Sequence, residues 1–148
     1  MRPEPLPIAY FDTSVLVKRY VNEQGSARAR ALLRNHRFLS SAIAPVEAVS
    51  ALHRRRVAGE LSLSSFDAIL MQLVKDRRYW SLVEVTSMVL ERAETVIRET
   101  GVRTLDAIHL ASALHVRATM GQSDPRLSFI TADSVQHEAA LRLGLAPQ

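Results

Sequence analysis

The sequence predicts an α/β domain built on a central, mainly parallel sheet that is covered by helices. Short apolar, β-branched or aromatic runs alternate along the chain with helical segments of about ten residues or more, and this order is typical of parallel sheets. Acids recur directly after predicted strands or in the first turns of predicted helices. At 148 residues the chain has the size of one domain, so we assign 1–148 to a single unit.

The first strand is predicted at 8–11, where Ile-Ala-Tyr-Phe is an uninterrupted apolar run of the kind that is buried on both faces of a sheet. Asp12 follows it directly. In open parallel sheets, ligands bind beyond the carboxyl ends of the strands, so Asp12 is a candidate site residue. The segment 15–20 is amphipathic, and we expect the hydroxyls of Thr13 and Ser14 to cap this helix.

The middle of the chain supplies further strands and helices. Strands are predicted at 38–43 and 80–85, and helices at 27–35, at 46–58, from 62 onward and at 86–100. Pro45 suits the first turn of its helix, where a missing donor costs nothing. Gly59 and Gly101 are predicted to end the helices that precede them. The apolar stripe at 66–74 indicates core packing, although it is also compatible with a groove for a partner.

The carboxyl-terminal third begins with the strongest predicted helix, 104–120, which is apolar almost all round and has Asp106 in its first turn. A loop is predicted at 121–125 and a fourth strand at 127–130. Asp133 follows that strand, ahead of a last helix that runs through Leu143. The strand and the acid after it repeat the arrangement at Asp12.

The composition excludes several kinds of site. The chain has no cysteine, which rules out disulfides, thiolate metal sites and a cysteine nucleophile. It has no apolar run approaching the roughly 20 residues of a membrane-spanning helix and no pattern of a secretory leader, so we expect a cytoplasmic protein without membrane contact. The formal net charge of +4 favours a polyanionic partner, although solubility alone explains a surplus of this size equally well.

Four acids are predicted to meet at one edge of the sheet, namely Asp12, Glu47, Asp106 and Asp133. The carboxyl ends of parallel strands and the amino ends of the helices that follow them share that edge. Clustered carboxylates cannot all stay ionised without a compensating cation. Because hard oxygen ligands select Mg²⁺ or Mn²⁺, the pattern predicts a divalent-metal site.

Each of these acids also has a purely structural explanation. The positive end of a helix dipole explains an acid at Glu47 or at Asp106. Capping of a following helix explains Asp12 or Asp133. Asp106 is the strongest candidate for a site residue, because it begins an almost entirely apolar helix and a charge that approaches a buried edge without a partner costs free energy.

A metal held by such a cluster acts through its waters. It can lower the pKa of a bound water, position that water for in-line attack on a phosphodiester and neutralise charge on the leaving oxygen. A carboxylate that does not coordinate the metal can orient the attacking water or accept its proton. The acidic cluster therefore favours phosphodiester hydrolysis.

The chain resembles the PIN-domain nucleases, and most closely the VapC-type toxins of bacterial and archaeal toxin-antitoxin pairs. The matching segments are Phe-Asp-Thr-Ser-Val-Leu at 11–16, the mid-chain Glu47, Thr-Leu-Asp-Ala-Ile-His-Leu-Ala at 104–111 and Phe-Ile-Thr-Ala-Asp at 129–133. The resemblance extends over nearly the whole chain. The order and spacing of these segments are more specific than any one of them alone. The resemblance implies a three-layer α/β/α fold and a Mg²⁺- or Mn²⁺-dependent ribonuclease, usually a homodimer and held inactive by a small cognate antitoxin.

The resemblance also implies roles for the four acids. Asp12 and Asp106 would be the principal metal ligands, while Glu47 and Asp133 would complete the acidic pocket and help to place metal or water. Supporting hydroxyls are expected at Thr13 or Ser14 beside Asp12, and at Thr131 within the pocket.

Basic residues and one histidine lie near these segments. The arginines at 54–56 cannot all face one side of a helix, so we interpret them as a solvated basic surface. Together with Lys18 and Arg19, this surface is a candidate for contact with RNA phosphates. We expect the RNA to be single-stranded or a loop, because a splayed backbone can enter a cleft that a duplex cannot. His109 lies three residues after Asp106 and could touch the pocket, but we interpret it as a hydrogen-bonded or exposed histidine.

Two other functions are compatible with part of the pattern. A phosphotransferase could use Asp12 as its nucleophile, but such enzymes usually carry a second acid two residues later, where this chain has Ser14. A catalytically inactive PIN-like module that binds RNA or serves as a scaffold is the alternative to the nuclease. A missing acid would favour that alternative, and none of the four is missing.

Overall fold

A computed structural model describes residues 3–121 and 127–148 of the chain. The strands are β1 (Ile8–Phe11), β2 (Arg37–Ser41), β3 (Ser81–Val83), β4 (Ser128–Ile130) and β5 (Ala146–Pro147). The α-helices in the described ranges are α1 (Thr13–Tyr20), α2 (Ser26–Asn35), α3 (Ala44–Val57), α4 (Leu63–Asp76), α5 (Ser87–Thr100), α6 (Thr104–Met120) and α7 (Ser134–Arg142). A 3₁₀ turn at Arg77–Tyr79 follows α4.

The five strands form one sheet in the order β3-β2-β1-β4-β5, and each pairing is parallel. Alternate residues of β1 face opposite sides of this sheet. Tyr10 packs into a core cluster with α5, α6 and α7, whereas Ala9 and Phe11 pack on the other side with α1 and α2. A further cluster joins α1, α3 and α4. These layers confirm the predicted α/β/α sandwich with a parallel sheet.

The pairing of β1 with β4 positions the edge that carries the acids. Phe11 is in register with Ile130, and the backbone N–H of Asp12 continues the ladder by donating to the Ile130 carbonyl at 3.0 Å. The segments that leave β1 and β4 therefore start side by side. As a result, Asp12 and Thr131 meet although they lie far apart in the sequence.

The predicted strands and helices are present, and their ends differ from the predicted ones by no more than two residues. One local prediction was wrong, because α1 is capped by a carboxylate and not by a hydroxyl. The side chain of Asp12 accepts from the backbone N–H groups of Ser14 and Val15, which satisfies two donors of the first turn. The N-cap of α7 is Asp133, as its structural explanation requires.

The short strand β5 was not predicted. It consists of two residues, one of them Pro147, and gives no alternation to detect. Proline is tolerated there because β5 lies at the edge of the sheet. Most of the loop predicted at 121–125 falls outside the described residues. Within the described ranges, the structure contains no helix with the length and apolarity needed to cross a membrane.

Candidate active site

The four predicted acids line one cavity of about 660 Å³ at the carboxyl edge of the sheet. Asp12 follows β1, and Asp133 stands between β4 and α7. Glu47 and Asp106 lie in the first turns of α3 and α6. Four separate segments of the chain therefore bring carboxylates to the same space, as the sequence predicted from their position at strand and helix ends.

Asp12 lines this cavity and is only 4% exposed. Its Oδ1 accepts from the backbone N–H of Ser14 at 2.9 Å and from the Ser14 hydroxyl, and its Oδ2 accepts from Thr131 Oγ1 at 2.8 Å. Burial raises the pKa of Asp12 above its ordinary value, while the hydrogen bonds from Ser14 and Thr131 favour the charged form. The supporting hydroxyls expected beside Asp12 are therefore those of Ser14 and Thr131.

Asp106 is half-buried and faces the charges of the other acids. Burial raises the pKa of Asp106, and the negative charges of Asp133 and Asp12 raise it further. Asp133 is exposed, and its Oδ1 accepts from the backbone N–H groups of Val135 and Gln136 at 2.8 and 3.0 Å. The negative charges of Asp133 and Asp12 thus act on Asp106, and a cation in the cavity would offset them.

Glu47 belongs to a hydrogen-bonded cluster that the sequence did not predict. Its Oε1 accepts from Thr13 Oγ1 at 2.8 Å and lies 2.6 Å from His109 Nε2. On the other side of the ring, His109 Nδ1 lies 2.8 Å from the hydroxyl of Tyr10. Thr13 therefore supports Glu47, whereas Ser14 supports Asp12.

His109 was only partly predicted. It is buried and hydrogen-bonded, as expected, and it also lines the acidic cavity, which was the alternative that the sequence left open. The signal was present in the sequence, since residues three apart share a helix face and His109 follows Asp106 by three. Tyr10 gave no such signal, because a tyrosine in a buried strand is ordinarily core packing.

A basic rim borders the cavity. Lys18, Arg54 and Arg55 line it, and Glu23 bridges the first and last of these, with Oε1 3.0 Å from Lys18 Nζ and Oε2 2.7 Å from Arg55 Nη1. Burial works against the charged form of Glu23, yet the hydrogen bonds and charges of Lys18 and Arg55 outweigh it and lower the pKa of this carboxyl.

Two of the predicted RNA-contacting residues lie elsewhere. Arg19 pairs with Asp76, with Nε 3.2 Å from Oδ2, and it lines a different cavity. The Arg56 guanidinium lies 5.7 Å from the centre of the Phe66 ring. The basic surface at the acidic cavity is therefore narrower than the sequence suggested.

The donor set fits a hard divalent cation. Carboxylate oxygens surround the cavity, and the raised pKa values of Asp12 and Asp106 reflect burial and mutual repulsion that a cation would offset. Among the described residues, no three His, Asp or Glu side chains are grouped closely enough to hold a metal ion between them. That is compatible with Mg²⁺, which commonly takes one or two carboxylates and keeps several waters.

Comparison with known proteins agrees with this geometry. A sequence profile of the PIN domain matches residues 9–141. Ribonuclease VapC46 of Mycobacterium tuberculosis is 33% identical over 142 residues, covering 93% of each chain. Ribonuclease VapC49 of the same species is 33% identical over 144 residues, covering 94% of this chain and 93% of that protein.

A solved structure has the same fold. It is described as a toxin-antitoxin complex from Klebsiella pneumoniae, and its matching chain superposes with a TM-score of 0.60 at 20% identity, covering 85% of this chain and 87% of that one. The PIN-domain profile and the two mycobacterial relatives each match nearly the full length of the chain. The chain belongs to the PIN-domain family, among the VapC-type ribonuclease toxins.

Proposed function

We propose that this chain is a Mg²⁺- or Mn²⁺-dependent endoribonuclease that acts as the toxic member of a toxin-antitoxin pair. The convergence of Asp12, Glu47, Asp106 and Asp133 from four segments on one cavity carries this proposal. The names of the two mycobacterial relatives support RNA as the substrate. The basic rim supports a substrate with a phosphate backbone.

Asp12 and Asp106 would hold the metal, and Glu47 and Asp133 would complete the pocket. When bound, a divalent cation lowers the pKa of a coordinated water and neutralises charge on the leaving oxygen. Asp12 is suited to binding because Ser14 and Thr131 fix both of its oxygens. Glu47 orients the attacking water and accepts its proton.

The substrate is single-stranded or looped RNA. Lys18, Arg54 and Arg55 bind its phosphates at the rim and orient the scissile bond over the carboxylates. Because water is the nucleophile, the ribose 2′-hydroxyl does not attack the adjacent phosphate. Hydrolysis should therefore leave no cyclic 2′,3′-phosphate on the products.

A small antitoxin protein is the expected regulator, and a homodimer in the cytoplasm is the expected state. The description of the Klebsiella structure as a toxin-antitoxin complex supports the antitoxin. Binding of an antitoxin near the cavity would block access of RNA to the carboxylates. Activity assays therefore require the partner-free protein.

The test is cleavage of total cellular RNA by the purified, partner-free protein in Mg²⁺, in Mn²⁺ and in a chelator. We expect discrete fragments with either metal and intact RNA with the chelator. Sequencing of the fragment ends then gives the target, and end-group analysis reports the nucleophile. RNA that is bound but left intact in both metals would instead support the inactive RNA-binding module.

A further inference from the structure

His109 is enclosed at the wall of the acidic cavity, and both of its ring nitrogens have partners. The residue is only 2% exposed. Nδ1 lies 2.8 Å from the Tyr10 hydroxyl, and Nε2 lies 2.6 Å from Glu47 Oε1. This buried, titratable side chain has no role in the nuclease reaction as proposed.

The two contacts determine which ring nitrogen carries the proton. A carboxylate oxygen can only accept a hydrogen bond, so Nε2 must donate to Glu47. Burial raises the pKa of Tyr10 well above its ordinary value, so the phenol keeps its proton and can donate to Nδ1. When the ring is neutral, Tyr10 and Glu47 together thus select the tautomer that carries hydrogen on Nε2.

The same contacts restrain one oxygen of Glu47. Thr13 Oγ1 also donates to Oε1, at 2.8 Å, so donors from α1 and α6 hold the same atom. In the described part of the chain no hydrogen bond reaches Oε2. The Glu47 side chain is 20% exposed and lines the cavity, which leaves Oε2 available to a ligand there.

We propose that His109 is a positioning residue for Glu47. Its Nε2–H holds Oε1 and thereby presents Oε2 to the water or phosphate in the cavity, and Tyr10 holds the His109 ring in the required tautomer and orientation. This inference rests on the proposed nuclease function. If Glu47 were held loosely, the rate of cleavage would fall, because small misplacements of a reacting group lower the reaction rate.

A matched pair of substitutions separates positioning from packing. In His109→Gln the amide nitrogen takes the place of Nε2 and can still donate to Glu47, whereas in His109→Asn it takes the place of Nδ1 and falls short. We expect His109→Asn and His109→Ala to lower kcat by about 10- to 100-fold with KM little changed, and His109→Gln to recover most of the rate. His115→Gln, on the same helix but outside the cavity, is the control.

A spectroscopic measurement tests the inference without any activity. Long-range ¹H–¹⁵N NMR of the metal-free protein should show His109 with its proton on Nε2. Tyr10→Phe removes the oxygen that holds Nδ1, and we expect it to lower kcat while Glu47 keeps the proton on Nε2. Wild-type protein in which Nε2 carries no proton would overturn the proposal.

Thermal unfolding of each variant shows whether it is folded. If His109→Ala or His109→Asn does not fold, the test depends on Tyr10→Phe and His109→Gln. Each of these changes the hydrogen bonds around position 109 while preserving much of the volume of the side chain that it replaces. Folded His109→Gln that is as slow as folded His109→Ala, or His109→Asn at the wild-type rate, would refute positioning. Wild-type protein that does not cleave RNA would refute the nuclease instead, and the NMR result would still decide the tautomer.

Discussion

Thr131 Oγ1 donates to Asp12 Oδ2 at 2.8 Å and thereby joins the segments that leave β4 and β1. We expect Thr131→Val to lower the free energy of unfolding by about 1–3 kcal/mol, since it leaves a buried carboxylate one donor short. Urea unfolding measures this loss. Thr131→Ser keeps the hydroxyl and should recover most of it, so equal stabilities for the Val and Ser variants would contradict this role.

Asp106→Asn should not destabilise the protein. Burial and the charges of Asp133 and Asp12 raise the pKa of Asp106, so its ionisation opposes folding at neutral pH. The variant should unfold at the same or a higher temperature than wild type. Its advantage should fade as the pH falls through the raised pKa, where wild-type Asp106 becomes protonated.

The control for Asp106→Asn is Asp67→Asn, which removes an exposed acid from α4. It should show no such gain at neutral pH. A clear loss of stability in Asp106→Asn, in metal-free buffer, would mean that the acids do not repel one another as inferred.

Glu23→Gln should reveal a pH-dependent contribution to stability. The pKa of Glu23 is lowered by Lys18 and Arg55, so its ion pairs stabilise the fold above the ordinary glutamate pKa and are lost as the pH falls through the lowered one. The variant should be less stable at neutral pH by at most about 1 kcal/mol, because the pairs are partly exposed and screened. The difference should vanish in acid. Glu138→Gln, at an exposed position of α7, is the control.

Arg54→Gln should weaken RNA binding without changing which RNA is preferred. Arg54 is exposed at the cavity, and its guanidinium donates to Ser50 Oγ at 2.8 Å. Loss of one phosphate contact should make the slope of log affinity against log salt shallower by about 0.7. Arg98→Gln, on the exposed side of α5, should leave the slope unchanged. An unaltered slope in Arg54→Gln would remove Arg54 from the RNA interface.

The fold was predictable where the pattern was long and local. The helix α5, for example, was predicted at 86–100 and spans Ser87–Thr100, because Thr86 caps it, Gly101 ends it and its apolar stripe has helical spacing. The strand β5 could not be predicted in the same way. Its two residues are a strand only because they pair with β4, and such pairing leaves no periodic trace in the sequence.

The site was predictable to the extent that topology determines it. Asp12 follows β1 and Asp133 follows β4, and these two strands are neighbours in the sheet. Their convergence on one cavity therefore follows from a general property of parallel sheets. The contact between His109 and Glu47 depends instead on where the fold places α6 relative to α3. Asp106 marks the side of α6 that faces the cavity, but the sequence does not say which side chain of α3 His109 meets there. Likewise, Arg19 and Arg56 proved to have partners outside the cavity, namely Asp76 and Phe66.

The most direct test of the acidic cavity is cleavage of one defined RNA by wild-type protein and by Asp106→Asn across a range of Mn²⁺ concentrations. Asp106→Asn is a cleaner comparison than a change at Asp12, because Asp12 also caps α1 and its loss would disturb that helix. We predict saturable, metal-dependent cleavage by wild type and a loss of at least about 100-fold in the folded variant. Cleavage by wild type in chelator, or by Asp106→Asn at the wild-type rate, would contradict the account.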